Sequence, residues 1–116
     1  MDMKIKAGVV VFDSQGRILL IKERLASTGA RWNIIKGTYE SGETIFVTAI
    51  RECREEAGID VVLTGVLGIS ISETDSKIRI QCNFTARTSD VGAVPDQEQQ
   101  IALDETIEEV RWFYPR

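Results

Sequence analysis

Gly37 to Ile59 reads GTYESGETIFVTAIRECREEAGI, and this stretch decides how the chain is read. Within it, Thr44 to Ala57 contains no Pro or Gly, and Ile45, Ala49, Cys53 and Ala57 recur every four residues. That spacing predicts a helix with one apolar stripe, which Phe46 and Ile50 broaden. Gly58 follows the last helical position and suits a left-handed C-cap. In front of the helix, Ser41-Gly42-Glu43-Thr44 supplies turn and capping residues, and Glu43 lies near the positive N-terminal end. Glu52, Glu55 and Glu56 stand at i, i+3 and i+4, so their carboxylates share a face distinct from the stripe. Like charges at that spacing destabilise a bare helix, and a hard divalent cation with oxygen ligands compensates for them. A solvated acidic face explains most Glu-rich helices. Here the flanking glycines and Arg51 stand in register with the glutamates, which argues for chemistry instead.

The stretch fits G-x5-E-x7-R-E-U-x-E-E-x-G-U at every defined position, with the apolar U filled by Cys53 and Ile59. This is the pattern of the Nudix box, and the chain resembles a Nudix hydrolase over those residues. The resemblance implies magnesium, with manganese as an alternative, and cleavage of a diphosphate linked to a nucleoside or similar group. It implies that Glu52, Glu55 and Glu56 bind the metal with the Gly37 carbonyl, and that Glu43 and Arg51 are structural or support that shell. Water would attack phosphorus, with the charge on the phosphate oxygens neutralised by the metal. For the base, a box glutamate and a glutamate from a later loop are both used in the family. Glu52 is the first candidate, Glu98 the second and Glu105 the third.

Ile35-Lys36-Gly37 stands where many such sequences read Pro-Gly-Gly, and members acting on dinucleoside polyphosphates often read Pro-Lys-Gly. Lys36 is therefore a candidate holder of an outer phosphate. Trp32, Tyr39 and Phe84 are candidate aromatic platforms, Trp32 foremost. Arg31, Lys22 and Arg24 could add positive charge. Tyr39 and Glu40 fill variable positions of the box and could line the pocket. Trp112 and Phe113 read as core.

At 116 residues the chain is expected to form one domain, residues 1–116, with a modest core from its 43% hydrophobic residues. The net charge of −4 and the lack of a basic run argue against duplex nucleic acid as a partner. A small nucleoside polyphosphate carried in by a metal needs no basic surface. There is no histidine, which removes His-based triads, His-ligated zinc and any imidazole base. Cys53 continues the helix stripe as a small core residue, and neither it nor Cys82 belongs to a C-x-x-C pair. No signal peptide and no membrane-spanning stretch is read, so a cytoplasmic protein is expected.

Along the chain, strands are predicted at Lys4–Phe12, Arg17–Lys22, Trp32–Ile35, Asp60–Ile71, Lys77–Ala86 and Glu108–Phe113. The first two form a hairpin through a turn at Asp13–Gly16, and the fourth and fifth form an antiparallel pair. Gly65 and Gly68 predict bulges. Glu23–Arg31 and Thr88–Leu103 read as loops. The fold class expected is α/β in the α+β sense. The resemblance implies an α-β-α sandwich around a mixed sheet, whose C-terminal helix is apparently missing because the sequence stops at Arg116. An uncovered apolar face would favour association, and a homodimer is the expected form. A non-catalytic module that binds a nucleotide as a sensor is the alternative reading.

Overall fold

The computed structural model describes residues 2–25, 29–92 and 105–115. Seven strands and one helix are described: β1 (Asp2–Phe12), β2 (Ile18–Leu25), β3 (Gly29–Asn33), β4 (Ile35–Thr38), α1 (Ile45–Ala57), β5 (Val62–Glu73), β6 (Lys77–Arg87) and β7 (Glu105–Phe113). They form a mixed sheet of order β3-β2-β1-β6-β5, with β4 added beside β1 and β7 beside β2. β1 and β6 run parallel, in register from Asp2↔Lys77 to Phe12↔Arg87. All other described pairs are antiparallel. β1 meets β2 only at Phe12↔Ile18 and then parts from it. β4 fills the place alongside β1, from Lys6↔Thr38 to Val9↔Ile35.

The core lies under α1. Alternate residues Ala7, Val9 and Val11 of β1 and Leu19 and Ile21 of β2 are fully buried, as period-two alternation demands of strands with one covered face. Ala49, Cys53 and Ala57 of the helix meet them, together with Ile35, Ile59, Phe84, Ala86 and Ile107. Thr44 caps the helix by accepting a hydrogen bond from Val47 N–H at 3.2 Å, and Gly58 ends it at φ 64°. The helix begins and stops where its capping residues indicate.

Several boundaries differ from the sequence reading. Glu23–Arg31 is not a plain loop. β2 continues to Leu25 and β3 returns from Gly29, pairing Leu25↔Gly29 through Ile21↔Asn33. Its charged residues hid that hairpin, because pairing rather than hydrophobicity defines it. The predicted strand Trp32–Ile35 divides between β3 and β4, so that one half pairs with β2 and the other with β1. β7 starts at Glu105 rather than Glu108. The register shifts at Leu63/Gly65 and Val66/Gly68 are the expected bulges. Among the described residues α1 is the one helix, and β5 leaves Val62, Val66, Leu67, Ile69 and Ile71 exposed.

Candidate functional site

β4 lies across α1 and brings the ends of the Gly37–Ile59 stretch together. Gly37 sits against Glu52, where an added Cβ would lie 1.9 Å from the Glu52 carboxyl carbon. Only a residue without a side chain lets strand and helix approach so closely. One residue earlier, the Lys36 backbone N–H donates to Glu56 Oε1 at 3.2 Å. Two of the three clustered glutamates are thus turned toward β4. They are 8% and 7% exposed, so neither faces bulk solvent.

Arg51 organises the acidic groups. Its Nη1 donates to Glu52 Oε1 at 2.8 Å and to Glu55 Oε2 at 3.0 Å. Its Nη2 donates to Glu43 Oε1 at 2.8 Å and to the Thr38 carbonyl at 2.9 Å. Its Nε donates to Glu43 Oε2 at 3.1 Å. Glu43 also accepts from Thr48 Oγ1 at 2.6 Å and from Glu40 N–H at 3.1 Å. The guanidinium fork suits this many acceptors, since its donors are fixed in one plane.

The electrostatics follow. The Arg51 and Thr48 bonds hold the Glu43 carboxyl down to about 2, and the Glu43 bond in turn raises Arg51. Burial pushes Glu52 up to about 7; Arg51 opposes the rise and the neighbouring Glu55 charge adds to it. Burial, with the Glu56 and Glu52 charges, raises the Cys53 thiol, so that cysteine is an unreactive core group.

Glu52, Glu55 and Glu56 share one side of α1, but among the described residues no three acidic or thiol groups converge on a common cation position. The repulsion expected from their spacing is relieved by Arg51, which bonds both Glu52 and Glu55, and Glu56 turns to the β4 backbone. The donor set fits a hard divalent cation: three carboxylates, two of them shielded from water, beside the Gly37 backbone. A cation bound there would compete with the guanidinium for Glu52 and Glu55 and would favour the ionised form of Glu52.

The other candidates are placed as follows. Lys36 Nζ lies 3.5 Å from Glu23 Oε1. Trp32 pairs with Lys22 across the β2–β3 ladder, between the buried rows of Ile21 and Glu23. It therefore faces away from α1, with Phe113 edge-on at 5.2 Å and Arg111 over its ring at 5.1 Å. Arg31 is exposed on β3, opposite Glu23 in the ladder. Tyr39 is exposed beyond β4, and its N–H donates to Ile5 O at 2.9 Å. Phe84 is a core residue, 3% exposed and 5.6 Å from Phe46. Arg24 pairs with Glu108. Trp112 packs against the core and donates Nε1–H to Val91 O at 2.9 Å. Glu105 opens β7 opposite Leu25. Glu98 lies outside the described residues. The structure brings Lys36, Gly37, Arg51, Glu52, Glu55 and Glu56 together, and Trp32 is not among them. Sequence reasoning missed Glu23, which alternation could have found: it stands two residues after Ile21 and four after Leu19 on the buried row.

Comparison with known proteins agrees with this fold. The family model described as NUDIX domain matches residues 3–116. "Nudix hydrolase 5" of Arabidopsis thaliana is 27% identical over 95 residues, covering 76% of this chain and 32% of that protein. An "RNA pyrophosphohydrolase" of Novosphingobium aromaticivorans is 30% identical over 66 residues, covering 57% of this chain and 41% of that protein. The chain thus spans less than half the length of these two curated relatives. The MutT Nudix hydrolase structure from Burkholderia pseudomallei superposes with a TM-score of 0.77 at 22% identity, over 97% of this chain and 84% of that one. A Caenorhabditis elegans Ap4A hydrolase complex gives 0.70 at 20% identity, over 96% and 80%. A complete sequence pattern, a helix and strand that bring its ends together, and a family match over nearly the whole length lead to one conclusion: the chain belongs to the Nudix family.

Proposed function

We propose that residues 1–116 act as one domain that hydrolyses a pyrophosphate bond in a nucleoside diphosphate derivative. The substrate class is nucleoside triphosphate, dinucleoside polyphosphate or nucleotide sugar, and water attacks at phosphorus. The observation that carries this reading is the enclosed acidic face of α1, with Glu52 and Glu56 shielded beside β4 and Arg51 tying the set together. Magnesium, or manganese in its place, would be held by Glu52, Glu55, Glu56 and the Gly37 carbonyl, and would supply charge neutralisation and a more acidic bound water.

The chain's own residues do the rest. Glu52, shielded beside β4, is the first candidate to accept a proton from the attacking water. Glu98 and Glu105 remain the second and third. Arg51 keeps Glu52 and Glu55 on one side of the helix and stiffens the loop through Thr38 O. Lys36, anchored by its backbone to Glu56, would turn its ammonium from Glu23 to an outer phosphate. Arg31 and Tyr39 stay in the reading as substrate contacts made from outside the buried acidic cluster, whereas Trp32, on the sheet face away from α1, leaves it.

A cytoplasmic setting fits the two free cysteines, and no described helix is long and apolar enough to cross a membrane. A second copy covering the exposed apolar residues of β5 belongs to the same proposal, and light scattering over a concentration series tests it.

The deciding experiment measures phosphate and pyrophosphate release from a nucleotide panel, with magnesium and with chelator. Magnesium-dependent turnover is expected, and Glu56→Gln should lose at least about 100-fold of it while keeping the far-UV spectrum. Binding without turnover by the wild type would favour the sensor module instead. Wild-type rates in Glu56→Gln would remove that residue from the mechanism.

A further inference from the structure

Glu23 takes no part in the reaction proposed above, yet it is more enclosed than Glu52 or Glu56, with 1% of its surface exposed. It continues the buried row of Leu19 and Ile21 on β2, where an aliphatic residue would pack without electrostatic cost. The β2–β7 register shifts between Lys22 and Glu23. Its Oε1 has two partners at long range, Asn33 Nδ2 at 3.4 Å and Lys36 Nζ at 3.5 Å. Among the described residues its Oε2 is buried with no hydrogen-bond partner. A buried carboxylate oxygen left unpaired is uncommon and costly, and taking away the cation beside it would cost more. That cation is tethered to the reaction site, because the Lys36 N–H donates to Glu56 and the next residue, Gly37, packs on Glu52. The Lys36 side chain remains 24% exposed while Glu23 beneath it is sealed.

We propose that Glu23 is a specificity-determining residue that rejects bare polyphosphates by holding the Lys36 ammonium until a substrate offers a hydrogen-bond donor in exchange. The inference rests on the reading of Lys36 as a phosphate holder. When a diphosphate draws the ammonium away, Glu23 stays buried but loses the cation beside it. A substrate whose group beside the diphosphate carries an N–H or O–H donor restores a partner, and Oε2, unpaired among the described residues, is the acceptor for it. Inorganic polyphosphate attracts Lys36 equally well and restores nothing. Discrimination therefore comes from the penalty imposed on the wrong ligand, which is the efficient way to reject a molecule that lacks a polar group.

The test compares wild type and Glu23→Gln, as full chains with magnesium, on ATP and on inorganic tripolyphosphate. Wild type should favour ATP by about 100-fold or more in kcat/KM. Glu23→Gln should narrow that ratio at least about tenfold, with the tripolyphosphate value rising, because a neutral side chain does not need the ammonium. Equal scaling of both substrates in a folded variant would make Glu23 a structural residue and overturn the proposal. Should Glu23→Gln fail to fold, Glu23→Asp keeps the charge but withdraws the acceptor. It should then lower the ATP value alone, and an unchanged ratio overturns the idea equally. Dideoxyadenosine triphosphate and purine riboside triphosphate separate sugar from base donors. A selective loss on the first places the donor on the sugar and on the second places it on the base, while a loss on neither overturns the exchange. If wild type turns over none of these, the nucleoside triphosphate branch of the hydrolase reading fails by itself. The same ratios are then read as dissociation constants by calorimetry, where a ratio unaffected by Glu23→Gln overturns the proposal.

Discussion

Replacing Glu52 by glutamine should make the metal-free protein more stable at pH 8. Glu52 titrates near 7 in the folded chain against an ordinary 4.5, because burial and the Glu55 charge disfavour its ionised form. The gap is 7 − 4.5 = 2.5, and at about 1.4 kcal/mol per tenfold it corresponds to a cost of about 3 kcal/mol. Below 4.5 both folded and unfolded chains hold the proton and no cost is felt. Between 4.5 and about 7 the unfolded chain ionises while the folded chain does not, so stability falls as pH rises. Above about 7 the whole cost stands. The introduced amide cannot ionise, and its carbonyl oxygen still accepts from Arg51 Nη1, although the bond loses its charge assistance, worth about 1 kcal/mol. Partial solvent screening reduces the gain further. The net expectation is a stabilisation of about 1–2 kcal/mol at pH 8 in chelator, or a rise in Tm of about 4–8 °C, that vanishes near pH 4.5. Scanning calorimetry of both proteins at the two pH values checks it. A variant that melts below wild type at pH 8, or by an offset independent of pH, would refute the reasoning.

Three further outcomes are expected. Gly37→Ala places a methyl group 1.9 Å from the Glu52 carboxyl carbon. It should cut phosphate release at least about 100-fold with little change in circular dichroism, since the strand and helix can part only by moving the site; a near-wild-type rate would show that Glu52 is free to move aside. Arg51→Lys exchanges a fork bonded to Thr38, Glu43, Glu52 and Glu55 for a point charge. Urea denaturation should report a loss of about 2–4 kcal/mol, and a loss within error would mean that the network adds nothing to stability. Glu43 is held down to about 2 in the folded chain, so its contribution is complete above 4.5 and lost as pH falls toward 2. Glu43→Gln should flatten the acid limb of the stability curve, and parallel limbs for variant and wild type would contradict the Arg51–Glu43 assignment.

The helix and the spacing of the glutamates on it were legible in the sequence because they are local. Spacing alone placed Ala49, Cys53 and Ala57 inward, and the capping residues Thr44 and Gly58 marked both ends. The partition of Trp32–Ile35 between two strands was not legible, since it depends on β1 and β2 separating after one pair of residues. Nor was the contact of Lys36 with Glu23, whose partners lie on different strands. Glu23 was passed over because a charged residue is assumed to face water, although its place in the alternation argued otherwise. Trp32 was ranked by its chemistry, but the side of the sheet it faces is set by the β2 register, which the sequence alone leaves open.

Arg51 donates to three glutamates and to the strand-end carbonyl of Thr38. The acidic helix therefore carries its own counter-ion from the moment it is synthesised. Folding need not wait for an inorganic ion, unlike domains whose apo form is unfolded. An ion bound later would meet a scaffold already formed and could come and go while the chain stays assembled. Occupancy of the site would then follow the supply of free cation around the protein rather than the history of its folding.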